Sequence, residues 1–265
     1  MIIIGELING TRDEVREAIV RRDRSVIEDI ARRQSEAGAD YIDCNVGMAG
    51  EDEPARMSWL VEVVQSAVET PVAIDTTNPD AMQAGLSAWQ GDASPLCNSV
   101  SFERDRLAAL IPLLRDRDVR VVALAMSDDG VPSSVEARVS CAMQLIEALG
   151  GAGVAEEDIF IDPVLTPLSV AHNGPGLVCQ AICEINALHP DCHTVVGLSN
   201  VSYGLPHRSL LNRVFLAQAI ASGLDSAILN PLDGDLMSTL FAAEALAGRD
   251  EWCERYLGAH RRGAL

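Results

Sequence analysis

The sequence contains no lysine, and all 20 of its basic residues are arginine. Schiff-base aldolases, pyridoxal-phosphate enzymes, P-loop NTPases and protein kinases each need a lysine amine at a defined place. The missing lysine therefore excludes these four classes.

Positive charge is also scarce, because 39 acidic residues leave a formal net charge of -19. Such a surface repels phosphate backbones and anionic membranes. We therefore expect no nucleic-acid partner and no membrane partner. A protein with a basic docking face would suit this surface better.

The chain shows no secretory segment at its start and no apolar run of transmembrane length, so we expect a soluble, cytoplasmic protein. Its seven cysteines are then expected to be reduced, small core residues. Cys179, Cys183 and Cys192 match no common zinc or cluster spacing, and we predict no metal site from them.

What the chain does contain is a repeated alternation of short apolar runs with longer amphipathic segments. The runs cover residues 2–4, 41–44, 72–74, 97–100, 119–125, 159–161, 194–196 and 226–229. Strands of this kind, alternating with helices, indicate a parallel sheet that is buried on both faces. Eight units in 265 residues predict a (β/α)₈ TIM barrel forming one domain, residues 1–265. An open doubly wound sheet is the alternative, but the first turn lacks GxGxxG and no P-loop occurs.

The segments between the runs have helical periodicity. Apolar residues recur at helical spacing over 26–37, and Gly38 is suited to end that helix. Gly223 is placed similarly after the helix that begins near residue 210.

Polar side chains close most of the predicted strands. In chain order these are Glu6 with Asn9, Asp43 with Asn45, Asp75, Asn98 with Ser99, Asp162, Ser199 with Asn200, and Asn230. Strand five, which reaches Met126, is the exception. Any one of them could be a cap or turn residue. In a barrel, however, the carboxyl ends of all strands meet at the catalytic face, so we expect these groups to converge.

The predicted ring is rich in hydrogen-bond acceptors and amides. A carboxylate accepts two N–H groups from a guanidine-like edge, and an amide offers both a donor and an acceptor. A fused nitrogen heterocycle such as a pterin or purine has such an edge.

Two other chemistries compete for the same ring. Asp43, Asp75 and Asp162 could hold Mg²⁺ in a lyase or isomerase, although that chemistry usually adds a lysine or histidine base. The five histidines are expected in loops or helices, without HxH or HExxH spacing. Nucleophilic catalysis lacks support, since there is no GxSxG and the predicted strand cysteines Cys44 and Cys97 are expected to be inert.

Several segments resemble a known family, the methyltetrahydrofolate:corrinoid/iron–sulfur protein methyltransferases, and more broadly the pterin-binding barrels related to dihydropteroate synthase. These segments read "IIIGELING", "YIDCNVG", "VAIDTTN", "IDPVLTP" and "VVGLSNVSYGLPHRSLLNRVFL". The likeness runs over nearly the whole chain in the same order. The missing lysine argues against dihydropteroate synthase itself, whose pattern includes one near the pterin.

The resemblance implies a homodimeric barrel that binds a pterin at its mouth. It implies that Asp75, Asn98 and Asp162 hold the pterin ring and that Asn200 hydrogen-bonds near N5. Further positions that match the family's motifs are Glu6, Asn9, Asp43, Asn45, Gly197 and Ser199. Arg208 is implied either to reach the glutamate tail or to shape the loop, and Tyr203 stands where the chain leaves the pattern.

The implied reaction moves a methyl group between N5 of methyltetrahydrofolate and the cobalt of a corrinoid, with Asn200 as donor to N5. Asp75 or Asp162 is the candidate proton relay. The chain has no DxHxxG motif, so we expect the cobalamin to arrive on a partner corrinoid protein. A non-catalytic folate-binding subunit and a Mg²⁺-dependent barrel lyase or isomerase remain as alternatives.

Overall fold

The fold, in a computed structural model that describes residues 1–47, 52–115, 117–263 and 265, is a closed barrel of parallel strands. Its strands are β1 Ile2–Gly5, β2 Tyr41–Asn45, β3 Val72–Asp75, β4 Leu96–Phe102, β5 Arg120–Ser127, β6 Ile159–Asp162, β7 His193–Gly197 and β8 Ser226–Leu229. Each pairs with its neighbour in sequence, and β8 closes the barrel on β1. The eight predicted strands and the (β/α)₈ architecture are confirmed.

Helices surround the barrel. In the described part of the chain they are α1 Asp13–Arg21, α2 Arg24–Glu36, α3 Glu53–Ala67, α4 Pro79–Ala88, α5 Arg104–Leu114, α6 Val135–Gly151, α7 Gly174–Leu188, α8 Arg208–Ala221, α9 Gly234–Leu246 and α10 Glu254–Arg261. Gly38 follows the end of α2 with φ +92°, and Gly223 follows α8 with φ +109°. Both glycines therefore end their helices as predicted, in a backbone region that disfavours other residues.

Two apolar layers hold the barrel together. The outer layer lies between strands and helices and includes Ile3, Ile74 and Leu145. The inner layer fills the barrel and consists of Ile4, Tyr41, Ala73, Leu96, Val122, Phe160 and Val195. Because successive strand residues point to opposite faces, each strand is buried on both sides.

Three details differ from the sequence predictions. Asn98 and Ser99 lie inside β4, which continues to Phe102, so they do not end that strand. His193 begins β7 instead of lying in a loop or helix, and its ring centroid is 4.5 Å from that of Phe160. All seven cysteines are free, but Cys183 and Cys253 are exposed rather than buried.

None of the helices in the described residues is long and apolar enough to cross a membrane.

Candidate functional site

A cavity of about 580 Å³ opens at the carboxyl ends of the strands. Its lining includes eight of the predicted site residues, namely Glu6, Asn9, Asp43, Asp75, Gly197, Ser199, Asn200 and Arg208. The other three adjoin that lining through hydrogen bonds: Asn45 to Asp75, Asn98 to Asp43, and Asp162 to the backbone of Gly197. The structure thus brings all eleven predicted residues together, while Tyr203 is not part of the lining.

The convergence follows from the alternation of side chains along the strands. Six polar or small residues each follow an inner-layer residue by two positions: Glu6, Asp43, Asp75, Asn98, Asp162 and Gly197. Residues two apart on a strand face the same side. This group therefore continues the inner layer towards the open end of the barrel.

A pair of hydrogen-bonded carboxyl groups forms one wall. Asp43 is 2% exposed and accepts a hydrogen bond from the Asn98 side-chain amide at 3.1 Å. Asp75 accepts one from the Asn45 amide at 2.6 Å. Burial, and then the nearby Asp75 carboxylate, raise the pKa of Asp43 well above its usual range. Asp43 is therefore the neutral partner and donates its proton to Asp75.

Asp75 is the ionised member of this pair. Burial raises its pKa, but hydrogen bonds from Asn45 and Asp43 and the charge of Arg106 lower it again. Its carboxylate is partly exposed to the cavity. A partly exposed carboxylate that faces a cavity can accept N–H groups from a ligand.

Asp162 is the second buried carboxyl group beside the cavity. It is 8% exposed, and one of its oxygens accepts the Val164 backbone N–H at 2.7 Å. Burial raises the pKa of Asp162 to about 7, against the opposing effects of the Val164 and Gly197 backbone N–H groups and of Arg138. Asp162 can therefore gain or lose a proton near neutral pH.

Arg138 is a site residue that the sequence predictions missed. It projects from α6, is 2% exposed, and its guanidinium donates to the carbonyl oxygens of Pro163 and Val164. Val164 has φ +61°, a strained conformation for a β-branched residue. Arg138 thus holds the loop that positions Asp162. A lone arginine on the apolar face of a helix, among Val135, Val139 and Ala142, was the signal available in the sequence.

We predict that Asp162 makes unfolding pH-dependent. Its pKa is about 7 in the folded chain and about 3.9 when unfolded. A raised carboxyl pKa means that the folded state binds more protons between these values, so stability falls as pH rises through that window. Asp162→Asn keeps an acceptor for the Val164 N–H but cannot titrate. The free energy of unfolding of the variant minus that of wild type should therefore increase by about 2–3 kcal/mol from pH 5 to pH 8.

Urea unfolding of both proteins at several pH values measures this difference. Subtracting the wild-type free energy of unfolding at each pH removes the contribution of Asp43, because both proteins contain it. A difference that stayed constant from pH 5 to pH 8 would show that Asp162 does not titrate there.

The opposite wall is built around the turn that follows β7. Ser199 donates its hydroxyl to both oxygens of Glu6, at 2.9 and 3.1 Å. Burial raises the pKa of Glu6, while Ser199, Arg12 and Arg208 oppose that rise. Arg208 donates to the Ser199 carbonyl at 2.8 Å and to the Ser202 hydroxyl at 3.0 Å. These contacts fix the shape of the turn, which is one of the two roles predicted for Arg208.

Asn200 lies in the same turn, the 3₁₀ segment Leu198–Ser202. Its side chain is exposed at the cavity, and no group among the described residues hydrogen-bonds to its amide. By contrast, the Asn9 and Asn230 side chains accept backbone N–H groups of Thr11 and Leu232, as turn residues do. The Asn200 amide therefore remains available to a ligand.

The cavity combines acceptors on one wall with an unengaged amide on the other. Asp75 and Asp162 can accept N–H groups from the edge of a flat heterocycle, and Asn200 can donate to an atom on its opposite side. Among the described residues, this arrangement can accept the N–H edge of a neutral or cationic nitrogen heterocycle.

Comparison with known proteins identifies a matching family and two similar proteins. A family model described as "Pterin binding enzyme" matches residues 5–230. The chain is 37% identical over 267 residues to the methylcorrinoid:tetrahydrofolate methyltransferase of Eubacterium limosum. This alignment covers 100% of this chain and 98% of that protein. It is 32% identical over 243 residues to the methionine synthase of Mycobacterium tuberculosis, covering 87% of this chain and 20% of the longer protein.

Solved structures of similar fold include two dihydropteroate synthases. The Coxiella burnetii enzyme, in complex with pteroic acid, superposes with a TM-score of 0.66 at 15% identity, covering 94% of each chain. The Thermus thermophilus enzyme gives 0.65 at 21% identity, covering 83% of this chain and 88% of that one. At these identities the likeness supports the barrel fold alone.

Proposed function

This chain belongs to the pterin-binding enzyme family, and we propose that it transfers a methyl group between N5 of tetrahydrofolate and the cobalt of a corrinoid. The methyltransferase relative from Eubacterium limosum matches over the full chain, and its activity supports this reaction. We propose that residues 1–265 act together as one pterin-binding domain.

The observation that carries the proposal is the acceptor-lined cavity at the barrel mouth. Its volume of about 580 Å³ lies within the roughly 300–1,000 Å³ usual for small-molecule sites. In the proposal, Asp75, Asn98 and Asp162 hold the pterin ring, while Asn200 lies beside N5. Glu6, Asn9, Asp43, Asn45, Gly197, Ser199 and Arg208 complete the site.

The chemistry requires help at N5. Reduced Co(I) is a strong nucleophile, but the tertiary amine N5 is a poor leaving group until charge on it is stabilised. A hydrogen bond from Asn200 that strengthens as this charge develops lowers the barrier, whereas one of equal strength in the ground state does not. The same donor serves both directions, because forward and reverse transfer share one transition state.

A proton must also reach N5, and Asn200 cannot supply one. Asp162, with its pKa of about 7, can exchange a proton with solvent at neutral pH. The Asp43–Asp75 pair holds a second proton close by. We propose that a water-linked path from one of these carboxyl groups protonates N5.

The corrinoid comes on a partner protein in this proposal. The sequence has no lower-ligand motif for it, and the cavity is open at the mouth, where a second protein could present its cobalt. The acidic surface favours a partner with a basic docking face.

The Mg²⁺-dependent alternative would use Asp43, Asp75 and Asp162 as ligands. Among the described residues, one group of three His, Cys, Asp or Glu side chains brings its ligand atoms within 4.8 Å of one another, and it lies outside this cavity. Asp43, Asp75 and Asp162 do not form such a group.

Folate binding tests the proposal without a corrinoid. Isothermal titration of the protein with tetrahydrofolate should give saturable binding that EDTA leaves unchanged, because acidic and amide side chains rather than a metal hold the pterin. Binding that required Mg²⁺ would favour the lyase or isomerase, and no binding at all would contradict the assignment of the cavity.

A homodimer and a cytoplasmic location complete the proposal. Leu210 and Val214, one turn apart on α8, are 54% and 60% exposed, which suits burial against a second copy. Seven free cysteines suit a reducing compartment. Light scattering of the purified protein measures its mass in solution.

A further inference from the structure

A compact turn joins α7 to β7 at the end of the barrel opposite the cavity. It has the sequence His189-Pro190-Asp191-Cys192, and the Cys192 backbone N–H donates to the His189 carbonyl at 3.2 Å. This hydrogen bond closes a four-residue turn with proline at its second position, where the fixed φ of proline suits it. The turn thereby places the His189 and Cys192 side chains near each other.

A third side chain completes the cluster from a different segment. Glu156 begins the 3₁₀ turn Glu156–Asp158, directly before β6. Its carboxylate lies 3.1 Å from Nδ1 of His189. One ligand atom each from Glu156, His189 and Cys192 lie within 4.8 Å of one another.

We propose that Glu156, His189 and Cys192 form a binding site for a divalent transition metal of the zinc class. Tetrahedral zinc with thiolate, imidazole and carboxylate ligands at about 2.0–2.3 Å requires ligand atoms roughly 3.3–3.6 Å apart. The Glu156–His189 distance already approaches this spacing. All three ligand atoms lie within 4.8 Å of one another, so bringing the remaining pairs to about 3.6 Å needs a movement of roughly 1.2 Å at most.

The donor set determines which cations fit. Thiolate and imidazole favour zinc, cobalt or copper, whereas Mg²⁺ and Ca²⁺ prefer oxygen ligands only. Cys192 is 5% exposed, His189 is partly buried and Glu156 is exposed, so a metal can reach the cluster from solvent on the carboxylate side. Water would fill the fourth position.

The site lies apart from the proposed folate site. Glu156 and Cys192 precede the amino ends of β6 and β7, whereas Asp162 is the last residue of β6 and Ser199 follows the carboxyl end of β7. A bound metal would link the segments that enter these two neighbouring strands. Since a ligand that binds only the folded state stabilises it, metal binding should raise the melting temperature.

Titration of the full-length, reduced and chelator-treated protein with Co²⁺ tests the proposal. We expect one Co²⁺ per chain, with a thiolate-to-cobalt charge-transfer band that Zn²⁺ displaces. Cys192→Ser should abolish that band, and His189→Gln should weaken Co²⁺ binding by about 10-fold or more, because even loss of a residue that only orients a ligand costs about 10- to 100-fold. Zn²⁺ should raise the melting temperature of wild type but not of His189→Gln.

Cys183→Ser and Cys253→Ser are matched controls, because both remove an exposed thiol outside the cluster. Both should keep the band. Absence of the band in wild type, its persistence in Cys192→Ser, or its loss in either control would overturn the proposal. His189→Gln keeps the test decisive if Cys192→Ser fails to fold. The outcome does not bear on folate binding, which uses other residues.

Discussion

Asn200→Ala is expected to slow methyl transfer about 100-fold or more, the usual cost of losing one preorganised transition-state donor. Its amide faces the cavity without a hydrogen-bond partner among the described residues. In the proposed mechanism that amide donates to N5 as charge develops there. Tetrahydrofolate affinity should change by only a few-fold, about what loss of one neutral hydrogen bond produces.

Single-turnover transfer and calorimetric binding separate these two effects. Gln83→Ala is a suitable control, since it removes a side-chain amide from the outer helix α4, where Gln83 donates to Ser87. Equal rates for Asn200→Ala and wild type, with equal folate affinities, would exclude the role proposed for Asn200.

Asp75→Asn and Asp43→Asn should differ strongly, although each converts one carboxyl group of the same pair into an amide. Asp75 is the ionised acceptor, so its replacement should weaken folate binding about 10- to 100-fold, from the roughly 1.5–3 kcal/mol of a charged hydrogen bond. Asp43 is already neutral, and an amide in its place can still accept from Asn98 and donate to Asp75. Asp43→Asn should therefore bind folate within about threefold of wild type, because the network survives.

Calorimetry on the two variants measures the contrast directly, and urea unfolding verifies that both fold. The assignment of the proton would be reversed if Asp43→Asn lost affinity and Asp75→Asn kept it. Equal, small losses would show that neither carboxyl group contacts the pterin.

The barrel was predictable because its signals are local. Each buried strand is a short run of apolar residues, and Gly38 and Gly223 mark helix ends through their backbone freedom. The position of the polar residues at the strand ends could also be predicted from the sequence. Asp75 and Asp162 each end an apolar run. The residues two positions before them, Ala73 and Phe160, fill the barrel interior.

Features that depend on contacts between distant segments were not predictable. Asn98 was expected to end a strand, but β4 continues past it because neighbouring β5 also extends, to Ser127. The neutral state of Asp43 depends on its approach to Asp75, 32 positions further along the chain. Arg138 donates hydrogen bonds to the carbonyl groups of Pro163 and Val164, in the loop after β6. No residue near Arg138 in the sequence indicates that contact.

The metal cluster illustrates the same limit. The sequence search for HxH, HExxH and cysteine pairs found no metal site, because His189 and Cys192 require Glu156 from the preceding unit. Only the adjacency of β6 and β7 brings these side chains together.

The central claim is that this cavity passes a methyl group between folate and cobalt, and free Co(I) cobalamin tests it most directly. We expect the protein, supplied with methyltetrahydrofolate, to convert Co(I) cobalamin to methylcobalamin, followed by its absorption, at a rate proportional to protein concentration. Bound folate without any methylcobalamin would identify a non-catalytic folate-binding subunit and contradict the proposed reaction.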